Sequence, residues 1–392
     1  MFRIQTMNSI AAEGLNLFPA GKYEVGPGTK NPDAILLRSA DLHGVEIPKS
    51  VLAIVRAGAG YNNIPVDACS ERGIVVFNTP GANANAVKEL TIAALFLSSR
   101  KLVDSVRWLS SVKDNAPPGG DGIPALVEKE KNRFEGPEIS GKTLGVVGLG
   151  SIGVMVANAA AALGMDVVGY DPYISVHAAW NLSRSVRRAE TMEDALRGSD
   201  YVSLHVPYSD ETKNMLSAGK IKMMKSGARL LNFARGGLAK EADVISALEC
   251  GRLSVYITDF PTAELLKHDK VICIPHLGAS TPEAEINCAV SAVKQAKNFL
   301  ETGVVENSVN FPSCSLTRNS PYRLLAANRN IPNMVGQITT LLASGGINIT
   351  DLINHHKDGY AYNIIDTEQE IPASMLVALE KIPGIIRVRT IA

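Results

Sequence analysis

Cysteine is scarce in this sequence, and charge of neither sign predominates. The cysteines are odd in number, widely spaced and form no Cys-x-x-Cys pair, so neither a disulfide framework nor a metal site is predicted. The 39 Lys and Arg residues balance 39 Asp and Glu residues, which disfavours binding to nucleic acid or to an acidic membrane surface. We expect reduced, mostly buried thiols at Cys69, Cys250, Cys273, Cys288 and Cys314.

Long apolar runs are also missing. No stretch approaches the ~20 apolar residues of a membrane span, and the segment from Met1 to Met7 lacks the pattern of a signal peptide. We therefore expect a cytoplasmic protein. With 392 residues, of which 46% are hydrophobic, the chain is long enough for two or three domains with real cores.

The stretch from Lys142 to Asp171 has the order of a strand, a Gly-rich turn, a helix and a second strand. Thr143–Val147 is a short β-branched run, and Asp166–Tyr170 is the second strand. Between them, the run Gly148-Leu-Gly-Ser-Ile-Gly153 opens an Ala-rich helix. The stretch has the length and the order of one βαβ half-unit. A Gly-x-Gly-x-x-Gly motif by itself is also compatible with an ordinary turn.

Each glycine of this motif has a separate expected role. Gly148 permits the tight turn, Gly150 lets the backbone approach a pyrophosphate, and Gly153 allows the helix to pack closely on the strand. The helix N-terminus then faces the anion. Asp171 follows the second strand, where a carboxylate accepts hydrogen bonds from the adenine ribose and repels a 2′-phosphate. The sequence therefore predicts binding of NAD rather than NADP.

Short strands alternate with helical segments on both sides of this motif, which indicates parallel α/β sheets. The polar loops that follow the first strands include Arg38 and Ser39, Arg56 with Gly58, Ala59 and Gly60, and Asn78–Gly81. Since ligands bind beyond the carboxyl ends of parallel strands, we expect these loops to line a ligand site; the alternatives are solvated arginines and an ordinary turn. The predicted strands before the motif are 34–37, 51–55 and 74–77.

Six strands are predicted from Thr143 onward, as a complete dinucleotide-binding sheet requires. Helices are expected over 86–102, 239–250 and 282–302, and the Pro- and Gly-rich segment Asn115–Gly122 is expected to be a flexible excursion. After a polar linker, the chain reads as strand, helix, strand, strand, helix, strand, which describes a ferredoxin-like βαββαβ module. The remaining predicted strands of the dinucleotide-binding sheet are 201–206, 228–232, 255–259 and 271–274.

Three residues near strand ends supply the chemistry that nicotinamide-dependent reduction of a 2-oxo acid requires. The imidazole of His276 is the natural type of group to exchange a proton with the carbonyl oxygen. Glu264 can orient the imidazole, and Arg235 can bind the substrate carboxylate through two hydrogen bonds. Taken singly, each residue has a plainer explanation: a structural histidine among seven, a surface acid, and an arginine capping a helix.

Three runs in this order, Gly148–Gly153, Asn232-Phe-Ala-Arg-Gly-Gly237 and Pro275-His-Leu-Gly-Ala279, resemble the D-isomer-specific 2-hydroxyacid dehydrogenases. The resemblance implies that Arg235, Glu264 and His276 are catalytic, and that Asp259 faces the nicotinamide carboxamide. The family's Glu-Pro pair reads Glu264-Leu265 here, so the proline is absent. The residues expected to contact NAD are Gly148, Gly150, Ser151, Ile152, Gly153, Asp171, His205, Val206, Pro207, Thr212, Phe233, Ala234, Arg235, Asp259, His276, Gly278 and Ala279.

The resemblance also implies the domain order. A flavodoxin-like substrate domain, 1–98 with 285–312, is interrupted by a doubly wound Rossmann domain, 99–284. A linker, 313–321, leads to a C-terminal module, 322–392, which resembles the small-molecule-sensing ACT domains. The substrate contacts expected are Arg38, Ser39, Arg56, Gly58, Ala59, Gly60 and Arg235, with Lys131 lent to a neighbouring subunit.

A dehydrogenase of this family with such a module is expected to oxidise 3-phospho-D-glycerate with NAD to 3-phosphohydroxypyruvate, at the entry to serine synthesis. A homodimer or homotetramer is implied, with L-serine as a possible effector at Asn330, Asn348 and the neighbouring Asn328, which replaces a histidine usual in some members. Two alternatives remain. The substrate is glyoxylate, lactate or 4-phosphoerythronate, or the chain is a non-catalytic NAD-sensing protein that binds partners.

Overall fold

The computed structural model describes residues 1–114 and 122–392. These residues form two compact units. We call Met1–Asn83 with Pro282–Ala392 the split unit, and Ala84–Thr281 the central unit. The predicted excursion at 115–122 lies outside the described residues, apart from its last residue, Gly122. Among the helices that are described, none is both long and apolar enough to cross a bilayer.

The N-terminal part of the split unit is a five-stranded parallel sheet in the order β2-β1-β3-β4-β5, the flavodoxin-like order. Strands β1 and β2 were not predicted, because a six-residue run with mixed burial and a four-residue edge strand leave little periodic signal. The elements are β1 (Phe2–Met7), α1 (Ala12–Leu15), β2 (Tyr23–Gly26), β3 (Ala34–Leu37), β4 (Ala53–Arg56), α2 (Val66–Glu71) and β5 (Val75–Phe77).

The central unit contains a seven-stranded parallel sheet flanked by helices. Its first elements are α3 (Ala84–Arg100), α4 (Leu102–Asp114), α5 (Ile123–Glu130), a 3-10 turn (Lys131–Phe134), β6 (Thr143–Val147), α6 (Ser151–Ala162), β7 (Asp166–Tyr170), α7 (Val176–Trp180) and β8 (Arg187–Arg188). They are followed by α8 (Met192–Leu196), β9 (Tyr201–Leu204), α9 (Ala218–Ile221), β10 (Ala228–Asn232), α10 (Glu241–Glu249), β11 (Leu253–Thr258), a 3-10 turn (Leu265–Lys267) and β12 (Val271–Cys273).

The strand order of this sheet, β12-β11-β10-β9-β6-β7-β8, is that of a Rossmann domain with one added edge strand. The predicted fold class is confirmed, but the count of six strands is wrong, because the two-residue β8 pairs with β7 at the edge. The predicted helix 86–102 is also wrong at its end. Lys101 adopts a left-handed backbone conformation (φ 46°), which ends α3 at Arg100 and starts α4.

The chain returns to the split unit through a long helix and ends in an antiparallel sheet with the order β14-β15-β13-β16. This order and the two intervening helices are those of the predicted ferredoxin-like module. The elements are α11 (Pro282–Thr302), β13 (Tyr322–Arg329), α12 (Met334–Ser344), β14 (Ile349–Lys357), β15 (Tyr360–Thr367), α13 (Ala373–Glu380) and β16 (Ile385–Ile391).

The C-terminal sheet is buried on both faces. Along β13, Leu324 and Ala326 point to the core that contains α12 and α13, whereas Leu325 and Ala327 point to the core that contains α11. This alternation is the two-residue period of a strand. The predicted linker is tied down as well, since Cys314 is buried and exchanges two backbone hydrogen bonds with Val305.

Two arginines of the C-terminal sheet cap the C-terminal end of α11. The last four carbonyls of a helix have no partner within it. Arg389 donates to the Phe299 carbonyl at 2.5 Å and the Leu300 carbonyl at 3.3 Å, and Arg323 donates to the Thr302 carbonyl at 2.9 Å. These cations also lie at the negative end of the helix dipole.

Arg323 is a fully buried residue with a fully buried counter-ion. Its Nε donates to one oxygen of Asp366 at 2.6 Å and its Nη2 to the other at 2.9 Å, while Nη2 also reaches the Leu316 carbonyl at 3.0 Å. One side chain therefore joins α11, the connecting segment and the C-terminal sheet.

Replacing Arg323 by leucine is expected to lower the free energy of unfolding by about 3–5 kcal/mol, because Asp366 is left buried without its partner. The double variant Arg323→Leu/Asp366→Leu regains only part of this loss, since the Thr302 and Leu316 carbonyls still lack their donor. Both tryptophans, Trp108 and Trp180, lie in the central unit, so urea unfolding is followed by far-UV circular dichroism. The exposed Arg184→Leu is the matched control; an equal loss there contradicts the prediction.

Candidate functional site

The Gly-rich loop connects β6 to α6 in the central unit, and its three glycines differ in their surroundings. Gly148 has a φ of +93°, which disfavours any side chain. A methyl group on Gly153 would overlap the Gly148 carbonyl, whereas one on Gly150 would meet no atom within 4 Å. Gly150 is therefore open on its side-chain side, as an approaching ligand requires, and Gly153 is closed by packing. Ser151 and Ile152 form the first turn of α6.

Asp171 stands directly after β7 and binds the Gly-rich loop. One carboxylate oxygen accepts from the Leu149 amide at 2.8 Å and the other from the Tyr173 amide at 2.8 Å. A cavity of ≈ 410 Å³ opens beside it, with an apolar wall that includes Ile174, Leu182 and Val186. This arrangement suits an adenosine, with a flat apolar surface for the base and a carboxylate for the ribose. The sequence reasoning missed the apolar wall because its residues are scattered through an irregular segment.

His205 follows β9 and packs beneath the loop, where its Cβ lies 3.5 Å from a methyl group placed on Gly153. Its Nε2 lies 2.8 Å from the Ser203 hydroxyl, and its buried Nδ1 has no hydrogen-bond partner among the described residues. Burial lowers the pKa of His205 to about 4, so the ring is neutral at physiological pH. It is a positioned neutral ring rather than a charged contact.

The turn after His205 holds the next predicted cofactor residues. The Thr212 hydroxyl donates to the Pro207 carbonyl at 2.7 Å and accepts from the Ser209 amide at 2.7 Å. These two hydrogen bonds close the turn that follows Val206. Thr212 therefore lies in a turn and not in a helix. By contrast, Thr191 begins α8 with a capping box that includes Asp194.

Arg235 lies in the loop after β10, where it follows the buried Phe233 and the half-buried Ala234 in the chain. The buried Asn232 side chain stabilises this loop by donating to the Arg235 carbonyl at 2.9 Å and accepting from the Ala234 amide at 3.2 Å. The Arg235 side chain is exposed and donates to the Ala234 carbonyl at 2.7 Å. The guanidinium therefore remains accessible to an anionic ligand.

Asp259, directly after β11, is the buried acid of this region. It is 1% exposed, and neither carboxylate oxygen completes a well-formed hydrogen bond with a described residue. Burial raises the pKa of the Asp259 carboxyl, and attraction to the His276 ring, the nearby Gly278 amide and Arg235 oppose this shift. The structure thus brings Asp259, His276 and Arg235 into one electrostatic cluster.

His276 lies in the exposed loop after β12, next to the buried Gly278 and the half-buried Ala279. Its ring packs against Phe260, with 5.0 Å between the ring centroids. A methyl group on Gly278 would lie 3.5 Å from Asp259 and 3.4 Å from Val87, so this loop is closely packed although its histidine is accessible.

The predicted contact between Glu264 and His276 is not formed. Glu264 instead accepts from Lys267 Nζ at 2.7 Å, and no hydrogen bond joins it to His276 in the described chain. The physical reason is local: Glu264 directly precedes a 3-10 turn and Lys267 ends it, three residues further on, where such a pair forms readily.

The split unit contains the predicted substrate residues Arg38, Ser39 and Arg56. β3 and β4 pair in parallel with Leu37 opposite Arg56, so both arginines stand at the same sheet edge. The Asn78 side chain donates to the Ala59 carbonyl at 2.6 Å, and the Thr79 amide donates to the Gly58 carbonyl at 3.0 Å. A methyl group on Gly58 would overlap the Arg56 guanidinium, so glycine is required there for the arginine to lie over the loop; Gly60 is half-buried beside it.

The outlying predicted residues are placed as follows. Lys131 is exposed and pairs with Glu128 at 2.5 Å. In the C-terminal module, Asn330 and Asn348 are exposed. Asn328 is buried, donates to the Arg329 carbonyl at 2.7 Å and accepts from Asn363 at 2.7 Å. The Asn328 amide thus holds two strands together, and its expected contact with an effector remains a prediction.

Comparison with known proteins agrees with this geometry. Residues 99–278 match the family model described as "D-isomer specific 2-hydroxyacid dehydrogenase, NAD binding domain". Residues 99–278 therefore have the NAD-binding domain of a D-isomer-specific 2-hydroxyacid dehydrogenase. The predicted resemblance to this family and the predicted binding of NAD are confirmed.

Curated relatives share the name D-3-phosphoglycerate dehydrogenase. The protein from Methanocaldococcus jannaschii is 33% identical over 85% of this chain and 61% of its own length. The protein from Archaeoglobus fulgidus is 33% identical over 80% of this chain and 58% of its own length. The chain therefore spans little more than half the length of these relatives.

Solved structures of the family share the fold. The NAD+-bound 3-phosphoglycerate dehydrogenase of Entamoeba histolytica aligns with 79% of this chain and 98% of its own, at 27% identity and a TM-score of 0.62. A holo D-mandelate dehydrogenase of Rhodotorula graminis aligns with a TM-score of 0.65 at 23% identity, a level that supports the fold alone.

The contrast between two glycines predicts a separation of binding from stability. Gly150→Ala is expected to keep the wild-type melting temperature and to weaken NADH binding at least about tenfold, because the methyl group occupies the pyrophosphate's path. Gly153→Ala is expected to lower the melting temperature, because the methyl group overlaps the Gly148 carbonyl. NADH fluorescence titration and thermal denaturation measure the two effects, and equal thermal losses in both variants contradict the assignment.

His205 predicts a pH dependence of stability. An unfolded histidine titrates near about 6.5, while burial lowers the folded pKa of His205 to about 4. The unfolded chain therefore binds the proton more readily, and the wild type should lose stability as the pH falls from about 6.5 towards 4. His205→Gln cannot take up this proton and should lose less over that window. Melting temperatures are compared across this range; a constant difference between the proteins refutes the burial argument.

Proposed function

We propose that this chain is an NAD-dependent oxidoreductase that oxidises 3-phospho-D-glycerate to 3-phosphohydroxypyruvate, the entry step to serine synthesis. The observation that carries the proposal is the cluster of His276, Arg235 and buried Asp259 at strand ends of an NAD-binding domain. The names of the curated relatives support the choice of substrate, as do the two arginines at one sheet edge of the split unit.

The cofactor fits the residues of the central unit. The open backbone at Gly150, the α6 N-terminus and the Asp171 carboxylate would hold the pyrophosphate and the adenine ribose. Asp259 has buried carboxylate oxygens able to accept from an amide such as the nicotinamide carboxamide. NAD supplies the acceptor for the hydride that leaves the C2 carbon of the substrate.

The remaining chemistry belongs to side chains. Arg235 binds the substrate carboxylate and orients the C2 hydroxyl. His276 accepts the hydroxyl proton as the hydride departs, and returns a proton in the reverse reaction. Glu264, once it releases Lys267, orients the imidazole through its second nitrogen. Arg38 and Arg56, with the loop amides of Gly58–Gly60, bind the phosphate.

The assembly and its regulation are part of the same proposal. The chain forms at least a homodimer around its central units, in which Lys131 contributes to the neighbouring subunit's substrate site. The C-terminal module acts as an ACT domain that binds a small effector, with L-serine as the candidate, through its exposed Asn330 and Asn348.

His276→Ala is expected to reduce turnover by about 10²–10⁴-fold, because proton transfer loses its positioned group. NADH binding should be unchanged, since no predicted ribose or pyrophosphate contact is altered. The assay follows NADH absorbance with 3-phosphohydroxypyruvate, and binding is measured by NADH fluorescence. His356→Ala, at an exposed histidine of the C-terminal module, is the matched control. A fully active His276→Ala enzyme contradicts the assignment.

The same assay distinguishes the phosphorylated substrate from glyoxylate or lactate-type acids. Arg56→Ala should reduce kcat/KM for 3-phosphohydroxypyruvate far more than for glyoxylate, which has no phosphate to bind. Equal losses with both acids favour an unphosphorylated substrate. Tight NADH binding without turnover of any 2-oxo acid instead supports the NAD-sensing alternative.

A further inference from the structure

Arg38, a proposed phosphate ligand, is engaged by an acidic residue of its own unit. Its Nη1 lies 2.5 Å from an oxygen of Glu285, and the two side chains are 36% and 45% exposed. Glu285 lies in the first turn of α11. The sequence reasoning did not connect these residues, because 247 positions separate them and neither belongs to a motif.

The surroundings of this pair are those of the proposed phosphate site. One turn along α11, the buried Cys288 lies within electrostatic range of Arg38, Arg56 and Glu285. Three elements of the split unit, the ends of the paired strands β3 and β4 and the start of α11, therefore meet around two cations and one anion. Glu285 therefore lies where the anionic phosphate of the substrate is expected to bind.

An exposed ion pair of this kind contributes little to stability, so a ligand can replace it. A phosphate group carries up to two negative charges and bonds readily to a guanidinium. It cannot bond to Arg38 in the same position as the Glu285 carboxylate, and two anions at close range repel each other. Either the carboxylate withdraws from Arg38, or the phosphate binds close to a like charge; both reduce affinity.

We propose that Glu285 is a specificity-determining residue that competes with the substrate phosphate for Arg38. In the empty site it neutralises the guanidinium, and the phosphorylated acid must displace it. A small unphosphorylated 2-oxo acid does not need Arg38 and is indifferent to this pair. Glu285 therefore sets the affinity for the phosphorylated substrate without a role in proton or hydride transfer. This inference rests on the proposed phosphate-binding role of Arg38.

The test is the variant Glu285→Gln, which keeps the side-chain shape and removes the charge. The KM for 3-phosphohydroxypyruvate and the dissociation constant for 3-phospho-D-glycerate are expected to fall about two- to fivefold, the range that corresponds to an exposed ion pair. The kcat should be unchanged, and so should the KM for glyoxylate. The gain should shrink as salt rises, because exposed charges are screened.

Two control variants show whether the effect acts through Arg38. Glu283→Gln removes a neighbouring exposed acid of the same helix turn and should leave both constants unchanged. In an Arg38→Ala background, Glu285→Gln should give a smaller gain, because there is no guanidinium left to release. A rise in KM or in the dissociation constant for Glu285→Gln overturns the proposal, since it means that the acid positions Arg38 for the ligand. An equal gain with or without Arg38 overturns it too.

Calorimetric titration separates this inference from the proposed function. Binding of 3-phospho-D-glycerate, and of inorganic phosphate as a minimal probe, requires no turnover. If the wild type binds the phosphorylated acid but does not oxidise it, the proposed function fails. The role of Glu285 is then still decided by comparing the dissociation constants of the wild type and Glu285→Gln. If neither probe binds to the wild type or to Glu285→Gln, the phosphate site at Arg38 and the competition are both refuted.

Discussion

The split unit depends on how its long helix ends. The 21 residues of α11 supply one wall of the core beneath the N-terminal sheet, and the last carbonyls of such a helix need partners. Those partners are Arg389 and Arg323, which belong to the C-terminal sheet. A module expected to be a separate sensing domain is therefore also the cap of a helix in the substrate-binding part. Its sheet gives one face to its own helices and the other to α11, so neither part has a complete core alone.

The central unit shows the opposite arrangement, since its sheet is completed by its own helices and its ligand-facing groups are left incomplete. Asp259 is buried with unused hydrogen-bonding capacity, and Nδ1 of His205 has no partner among the described residues. Buried polar groups without partners are costly in a finished core. Both groups lie beside the Gly-rich loop or at neighbouring strand ends, which supports the proposal that they face a ligand. Arg235 differs from them, since its side chain is exposed and donates to the Ala234 carbonyl.

Sequence patterns predicted the features that depend on local chemistry. The Gly-rich motif, the βαββαβ order and the position of Asp171 after β7 each follow from residues close together in the chain, and the structure contains all three. The patterns failed where the deciding contacts belong to no motif. β8 exists only because two residues pair with β7, and Glu264 pairs with a lysine three positions on. The adenosine-sized cavity and the Arg38–Glu285 pair were missed for the same reason.

Two classes of ion pair stand out in this protein, and the division matches their proposed roles. Arg323 and Asp366 are fully buried and share two hydrogen bonds, so separating them is costly and their geometry is fixed. Arg38 with Glu285, Lys267 with Glu264, and Lys131 with Glu128 are at least one-third exposed on both sides, so each pair can open at little cost. The proposed catalytic residue Glu264 and two proposed substrate-binding cations, Arg38 and Lys131, all belong to the second class. A site built from such pairs holds its charges in place and yields them to an anionic ligand, so the pair of Glu264 with Lys267 can open for the proposed contact with His276 when substrate binds.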